Sequence, residues 1–347
     1  MSNLARTPAH LVGNAYVSAL TGKAAQLRDA LIQQTLKDYA SWERSIDENV
    51  IRRHPELRIG TQDYMREVET FRGRIGDAFD WVVPAFETFG TPDPDDIDPA
   101  IEMLGTIQGW FDGEVDTTNN WTGANPALER VNLVGAEMIA GWRGSFTDNF
   151  IDHFVTPLAT VLPNQRNLAQ LVQEQLTCNK VIYIQRRQSA MDLLDASIYA
   201  TQNLDNEIDA DAAKWATIAA VAVGTTLGPF VAGWGIGLAL MLDAGGTIAQ
   251  GLVPDKEEKK AITRFNIGGR TTADVTANIM TAISALERDT YSQEQQVATA
   301  LRDITRVIES LRRPSMVSNT SGPFSLERSA LADATAAELT RNMQPKR

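Results

Sequence analysis

Apolar residues recur along most of this chain at the three- and four-residue spacing of amphipathic helices, and runs of alternating β-branched residues are scarce. The spacing predicts helices over about 24–50, 61–89, 99–111 and 126–140, and Pro84 is a point where the second of them can be interrupted. We therefore expect an all-α fold, an elongated helical bundle with long antiparallel helices.

The longest predicted helical tract follows a turn at 141–144 and extends to Lys214. Pro157 and Pro163 are expected to kink or divide it, because proline lacks the N–H group that an α-helix uses. Its apolar positions recur at intervals that suit one face of a bundle. These positions are Leu168, Val172, Leu176, Met191, Leu194, Ile198, Leu204 and Ile208.

A second long helical region is predicted to begin at 254, where a proline and acidic residues occupy the favoured first turn. From Val275 onward the apolar spacing becomes nearly heptadic, which is typical of a coiled coil or a long antiparallel helix pair. Thr290 and Gln293 are expected to be polar layers that fix the register, with the preceding tract as the candidate partner. The seam consists of Ile279, Ile283, Leu286, Thr290, Gln293, Val297, Leu301, Ile304, Ile308 and Leu311.

Between these tracts, the segment 215–242 has 28 residues without a charged side chain. One helix needs only about 20 such residues to cross a bilayer. Pro229 divides the segment, so we predict two short helices that form a central apolar hairpin within 213–253. The residues expected to contact a membrane are Trp215, Ile218, Leu227, Pro229, Phe230, Trp234, Ile236, Leu238 and Leu240. The glycines whose GxxxG spacing permits close helix packing are Gly224, Gly228, Gly233 and Gly237.

The composition argues against several classes of function. The chain has 347 residues, a formal net charge of −12 and a pI near 4.8, so it lacks the basic stripe that nucleic acid binding needs. Its three histidines are far apart, and the sequence contains no phosphate-binding loop, zinc-binding motif or nucleophile motif. We therefore expect a non-enzymatic protein with no cofactor, metal or small-molecule substrate. The single cysteine, Cys178, excludes an internal disulfide.

A Trp-x-Gly string lies at Trp142 and Gly144, between two predicted helices, and Phe150 follows eight positions after the tryptophan. Phe146, Phe150 and Phe154 recur every four residues along the second helix. In this context the chain resembles the WxG-motif family of type VII (ESX) secretion substrates, which are helical hairpins with this turn. The resemblance implies a secreted helical protein that acts through a protein partner or as a homo-oligomer.

The acidic segment 91–99 contains three prolines and cannot continue a helix, which makes it the best early boundary. We predict an N-terminal helical segment over 1–95 and a WxG-type helical bundle with the apolar hairpin over 96–313. A linker and a short C-terminal helix are expected over 314–347. Because the N-terminus lacks the apolar core of a signal peptide, we expect export without a classical signal peptide.

The organisation, long helices that flank an apolar hairpin, also resembles the α-helical pore-forming toxins related to cytolysin A and the tripartite haemolysins. That resemblance implies a soluble form that hides the hairpin and a membrane form that exposes it. Three functions stay open: a secreted protein that interacts with membranes through the hairpin, a pore-forming toxin component, and a structural scaffold with a permanently buried hairpin. The scaffold alternative implies a cytoplasmic location.

Overall fold

A computed structural model describes residues 6–46, 62–115, 121–122, 148, 150–204, 215–216, 240–242, 246–248, 265–312 and 335. The described part is dominated by helices, so the predicted all-α class is confirmed. Its α-helices are α1 (Gly13–Ile46), α2 (Gln62–Ala78), α3 (Val82–Glu87), α4 (Asp98–Trp110), α5 (Thr156–Gln202) and α6 (Thr272–Arg312). Short 3-10 turns lie at Ala9–Leu11, Thr88–Gly90 and Pro94–Ile97, and a π turn at Ile151–Val155 precedes α5.

Helix α1 begins eleven residues before its predicted start. Its buried residues Tyr16, Leu20, Ala24, Leu27 and Leu31 follow one another at steps of three and four, so a single apolar face continues to the helix start. Gly13 has a φ of 54°, a left-handed conformation that glycine adopts without a steric penalty.

The predicted second helix is divided, but not at Pro84. Helix α2 ends at Ala78, and α3 begins at Val82 after a short turn. Pro84 is therefore in the first turn of α3, where the missing N–H costs nothing because first-turn N–H groups have no intrahelical acceptor. Val82 and Phe86 of α3 are fully buried.

Helix α4 lies where it was predicted, with Pro99 in its first turn. The π turn lies immediately before Pro157, and Pro163 lies inside α5 without ending it. Because a proline has no N–H to donate four residues back, a locally wider turn at that place is expected.

Helix α5 does not present the single apolar face that was predicted for it. Between positions 161 and 204, the exposed residues are Asp195, Tyr199 and Gln202. Of the predicted face, Leu194 is buried, whereas Leu168, Val172, Leu176, Met191, Ile198 and Leu204 are half-buried; Ile208 lies outside the described residues. Most of this helix is thus buried or half-buried, and its buried polar residues need partners within the protein.

The predicted seam of α6 is confirmed. Leu301 and Ile308 are half-buried, Leu311 is not described, and every other seam position from Ile279 to Ile304 is buried. Thr290 donates its hydroxyl to the carbonyl of Leu286 at 2.9 Å, and Gln293 donates to Asp289 at 2.7 Å, so both polar layers are satisfied within their own helix.

The described strands form three two-stranded antiparallel pairs. The pairs are β1 (Glu114–Val115) with β2 (Trp121–Thr122), β3 (Trp215–Ala216) with β6 (Phe265–Asn266), and β4 (Leu240–Leu242) with β5 (Gly246–Ile248).

The chain divides into two compact units. The first consists of Met1–Asp96, Lys180–Val223 and Lys259–Glu294, and the second of Ile97–Asn179, Gly224–Glu258 and Gln295–Arg347. The core of the first unit is built by α1, α3, the second half of α5 and the first half of α6. The second unit buries Leu158, Val161, Leu162, Ala169, Leu171, Cys178, Val297 and Ile304. The domain limits predicted at 95, 96 and 313 stay predictions.

Candidate functional site

Within the predicted apolar hairpin region 213–253, the structure describes 215–216, 240–242 and 246–248. Trp215 lies in β3 and Leu240 in β4, so the prediction of helix is wrong at 215–216 and at 240–242, where the backbone pairs with another strand instead. The other predicted membrane contacts and packing glycines lie outside the described residues: Ile218, Leu227, Pro229, Phe230, Trp234, Ile236, Leu238, Gly224, Gly228, Gly233 and Gly237. Among the described helices, none combines the length and the apolar composition that crossing a membrane requires.

The strand pair β3 and β6 joins the two flanks of the apolar segment. Ala216 lies opposite Phe265 and Trp215 lies opposite Asn266. Since α5 ends at Gln202 and α6 begins at Thr272, this pair lies between the two longest helices along the chain. The residues on either side of 217–264 therefore lie next to each other in a strand pair.

The predicted WxG turn is described only at its aromatic partner. Trp142 and Gly144 lie outside the described residues. Phe150 stacks on Phe154, with ring centroids 5.1 Å apart and an interplanar angle of 23°, as the four-residue spacing predicted. The ring of Phe150 is thus engaged within its own helical segment.

The densest polar cluster of the described residues was not predicted from the sequence. We call it the polar anchor and define it by Thr7, Asp93, Asp95, Lys180 and Arg187. It joins the N-terminal segment, the acidic proline-containing loop and helix α5, all within the first unit.

Arg187 is the centre of the polar anchor. Its Nη1 donates to the carbonyl of Leu11 at 2.6 Å, and its Nη2 donates to the carbonyls of Gly90 at 2.7 Å and Pro92 at 3.1 Å. Nη1 also lies 3.3 Å from Oδ2 of Asp93, and the guanidinium lies 4.6 Å from the ring centroid of Tyr16. A buried guanidinium needs this many acceptors, because an unpaired buried charge is strongly destabilising.

The two carboxylates of the polar anchor also fix backbone groups. Oδ2 of Asp93 accepts from the N–H of Gly13 at 2.8 Å, and its Oδ1 accepts from the N–H of Asp95 at 3.1 Å. Oδ1 of Asp95 accepts from the Thr7 hydroxyl at 2.5 Å and lies 3.0 Å from Nζ of Lys180. Partial burial acts to raise the pKa of Asp95, but the hydrogen bonds from Thr7 and Lys180 hold it below its ordinary value of 3.8.

Arg186, the neighbour of Arg187, binds the same loop from a more exposed position. It donates to the carbonyl of Thr91 at 2.7 Å and to that of Thr88 at 3.0 Å, and its guanidinium lies 5.1 Å from the ring centroid of Phe89. Burial raises the pKa of Tyr16 above its ordinary range, although the charge of Arg187 acts in the opposite direction. The acceptors of these cations are thus mostly backbone carbonyls. Contacts of this kind hold segments of the chain together.

A sequence signal for this cluster did exist. The loop 88–96 combines prolines, aspartates and threonines. The helix α5 contains two adjacent arginines, Arg186 and Arg187, which the spacing of its apolar residues does not explain. The distance along the chain hides the connection, since Arg187 and the carbonyl of Leu11 are 176 positions apart.

A groove of about 1140 Å³ lies in the first unit along α1, the end of α2 and the first turns of α6. Lys37, Arg44 and Arg270 line it. Asp38 accepts from the N–H and hydroxyl of Thr272 at 3.2 and 2.7 Å, and Asp274 accepts from the N–H groups of Arg270 and Thr271. The first donors of α6 therefore already have carboxylate acceptors, and an additional anion would meet two negative charges.

The described residues contain no group of histidines, cysteines and acidic residues that could hold a metal ion. Burial raises the pKa of Cys178 to about 12, so its thiol is not a nucleophile at neutral pH. Nε2 of His10 lies 3.2 Å from Oε1 of Gln188, within a surface contact.

Comparison with known proteins gives no relative. No family model, curated protein or solved structure matches this chain.

Proposed function

We propose that this chain is a non-enzymatic secreted helical protein, similar to type VII secretion substrates, that interacts with membranes through the apolar segment 215–242. The observation that carries the proposal is the absence of any charge over 28 residues in a chain whose formal charge is −12. Such a segment needs an apolar environment, which is either a protein core or lipid.

The pairing of β3 with β6 supports this proposal. Ala216 lies opposite Phe265, so the two residues that flank 217–264 are neighbours in one strand pair. In this proposal the apolar segment changes its surroundings while α5 and α6 keep their packing in the core of the first unit.

The energetics permit an exchange between protein and lipid. Removing apolar surface from water contributes about 25 cal/mol per Å² whichever apolar medium receives it. The free energies of a buried and a membrane-bound form can therefore be similar, and contact with lipid decides between them.

The test is flotation with liposomes of neutral lipid, because an acidic chain is repelled by anionic headgroups. The wild type is expected to float, and a Gly233→Asp, Gly237→Asp double variant is expected to stay with the unbound protein, since each aspartate at the bilayer centre costs about 2.5 kcal/mol or more. The matched control is Gly22→Asp with Gly73→Asp. Both of these glycines are exposed on helices and have no neighbour within 4 Å of an added Cβ, so the control adds the same charge without loss of binding.

The scaffold alternative has one observation in its favour. The described ends of the apolar segment pair with other strands of the chain, as in a segment that stays folded against its own protein. If neither the wild type nor the double variant floats, the membrane proposal is wrong and the scaffold alternative is supported. Release of an encapsulated dye together with oligomers of defined size would instead support a pore-forming component.

A further inference from the structure

Three segments that are distant in the sequence meet at the polar anchor. Thr7 and the carbonyl of Leu11 belong to the N-terminal segment, Asp93 and Asp95 belong to the acidic loop, and the two cations belong to α5. Charged contacts therefore attach both the N-terminal segment and the loop to this helix.

The cationic side chains of the polar anchor are less exposed to solvent than its carboxylates. The side chains of Lys180 and Arg187 are 5% and 2% exposed, whereas those of Asp95 and Asp93 are 37% and 21% exposed. Protons from solvent can therefore reach the carboxylates, while the cations stay in a medium that stabilises charge poorly.

We infer that the polar anchor is a latch that acid opens, releasing the N-terminal segment 7–13 with Leu11 and the loop 91–96 from α5 while the rest of the apolar core of the first unit stays folded. When Asp95 becomes neutral, Lys180 and Arg187 remain buried with less negative charge beside them. The carbonyls that bind Arg187 still accept hydrogen bonds, but they carry no net charge. Hydration of the two cations then favours separation of the segments.

Four other charged or titratable groups lie beside the latch. Arg186 on α5 donates to the loop, and His10 of the N-terminal segment contacts Gln188. Asp96 follows Asp95 in the loop, and Asp192 on α5 accepts from Gln188. Tyr16 is neutral throughout, since burial raises its pKa.

The pH window follows from the direction of the Asp95 shift. A carboxylate whose pKa is lower in the folded protein stabilises the fold above its ordinary pKa, and this contribution is lost as the pH falls through the folded value. The latch is therefore closed at neutral pH and opens below the ordinary value of 3.8.

Amide hydrogen exchange measured by mass spectrometry tests the latch, with rates corrected for the chemical dependence on pH. In the wild type, peptides over 7–13 and 88–96 are expected to lose protection at a higher pH than peptides over 20–31 and 275–286. An Asp93→Asn, Asp95→Asn double variant mimics the neutral carboxyls at pH 7, and its 7–13 and 88–96 peptides are expected to exchange about tenfold faster or more.

The matched control is the Asp80→Asn, Asp195→Asn double variant. It removes two ion pairs of the same unit, Arg28 with Asp80 and Lys23 with Asp195, in which the aspartate side chains are 62% and 58% exposed. It is expected to leave the exchange of 7–13 unchanged. Adding Lys180→Met to Asp95→Asn removes the buried charge and is expected to restore part of the protection. The inference is wrong if all wild-type peptides lose protection at the same pH. It is also wrong if Lys180→Met restores no protection to the peptides over 7–13 and 88–96. If the variants do not fold, the pH dependence of exchange in the wild type decides alone.

Discussion

Replacement of Arg187 by Met removes one buried guanidinium and leaves its partners in place. Met has nearly the same length and fills the space without a new polar group. The carbonyls of Leu11, Gly90 and Pro92 then lose their donor, and Asp93 loses its cation. The change therefore tests whether these contacts stabilise the first unit.

The structure gives an approximate size for this effect. Removing one partner of a buried ion pair costs about 3–5 kcal/mol. One contribution acts in the opposite direction, because Nε of Arg187 is buried without a hydrogen-bond partner among the described residues, and the variant removes that unsatisfied donor. We expect a loss of about 3 kcal/mol in the free energy of unfolding, a large part of the 5–15 kcal/mol that is typical of a folded domain.

Urea unfolding followed by circular dichroism at 222 nm measures this loss. The matched control is Arg186→Met, because Arg186 is the adjacent residue of the same helix and also donates to two carbonyls of the same loop, but it is only half-buried and its hydrogen bonds are open to solvent. We expect the control to lose about 1 kcal/mol or less, since exposed charged contacts are screened by solvent. Equal losses in the two variants, or a loss below about 1 kcal/mol for Arg187→Met, would contradict the reasoning, because burial would then not decide the cost.

Three further predictions concern positions outside the polar anchor. Thr290→Val is expected to raise the free energy of unfolding by up to about 1 kcal/mol, because the buried hydroxyl bonds only its own helical turn among the described contacts; a clear decrease in urea denaturation would indicate a partner across the seam. Gly269→Ala is expected to cost about 1–2 kcal/mol, since its Cβ would lie 2.4 Å from that of Asp274, whereas Gly73→Ala, with nothing within 4 Å, is expected to gain about 0.5–1 kcal/mol. Burial raises the pKa of Cys178 to about 12, so a thiol reagent at pH 8 should label the native protein about a thousandfold more slowly than the protein in urea, and the native rate should rise with pH.

The helices were predictable because their signal is local. The seam of α6 is an example: the heptad spacing alone identified Ile279, Thr290 and Gln293 as inward positions, and all three are buried. The start of α1 was missed although Tyr16 and Leu20 continue the same apolar face.

The strand pairs and the polar anchor were not predictable in the same way. A two-residue strand such as β3 has too few positions to show a period, and its partner β6 lies about fifty residues further along the chain. The carbonyls to which Arg187 donates are 95 to 176 positions away along the chain, and no periodic pattern encodes such a pairing. The apolar spacing of α5 therefore gave no indication that Lys180 and Arg187 are buried.

The two adjacent arginines of α5 supply hydrogen-bond donors to the loop that packs against this helix. The loop 88–92 contains proline, glycine and threonine and does not continue α3 as a regular helix. Its carbonyls therefore do not receive the N–H donors that an α-helix would supply. Arg186 donates to the carbonyls at 88 and 91, and Arg187 to those at 90 and 92. Adjacent helical residues point about 100° apart, so the two side chains reach the loop along separate paths. An irregular loop can lie against a buried helix only if that helix supplies donors, which explains why α5 has two adjacent arginines where an apolar face would have offered none.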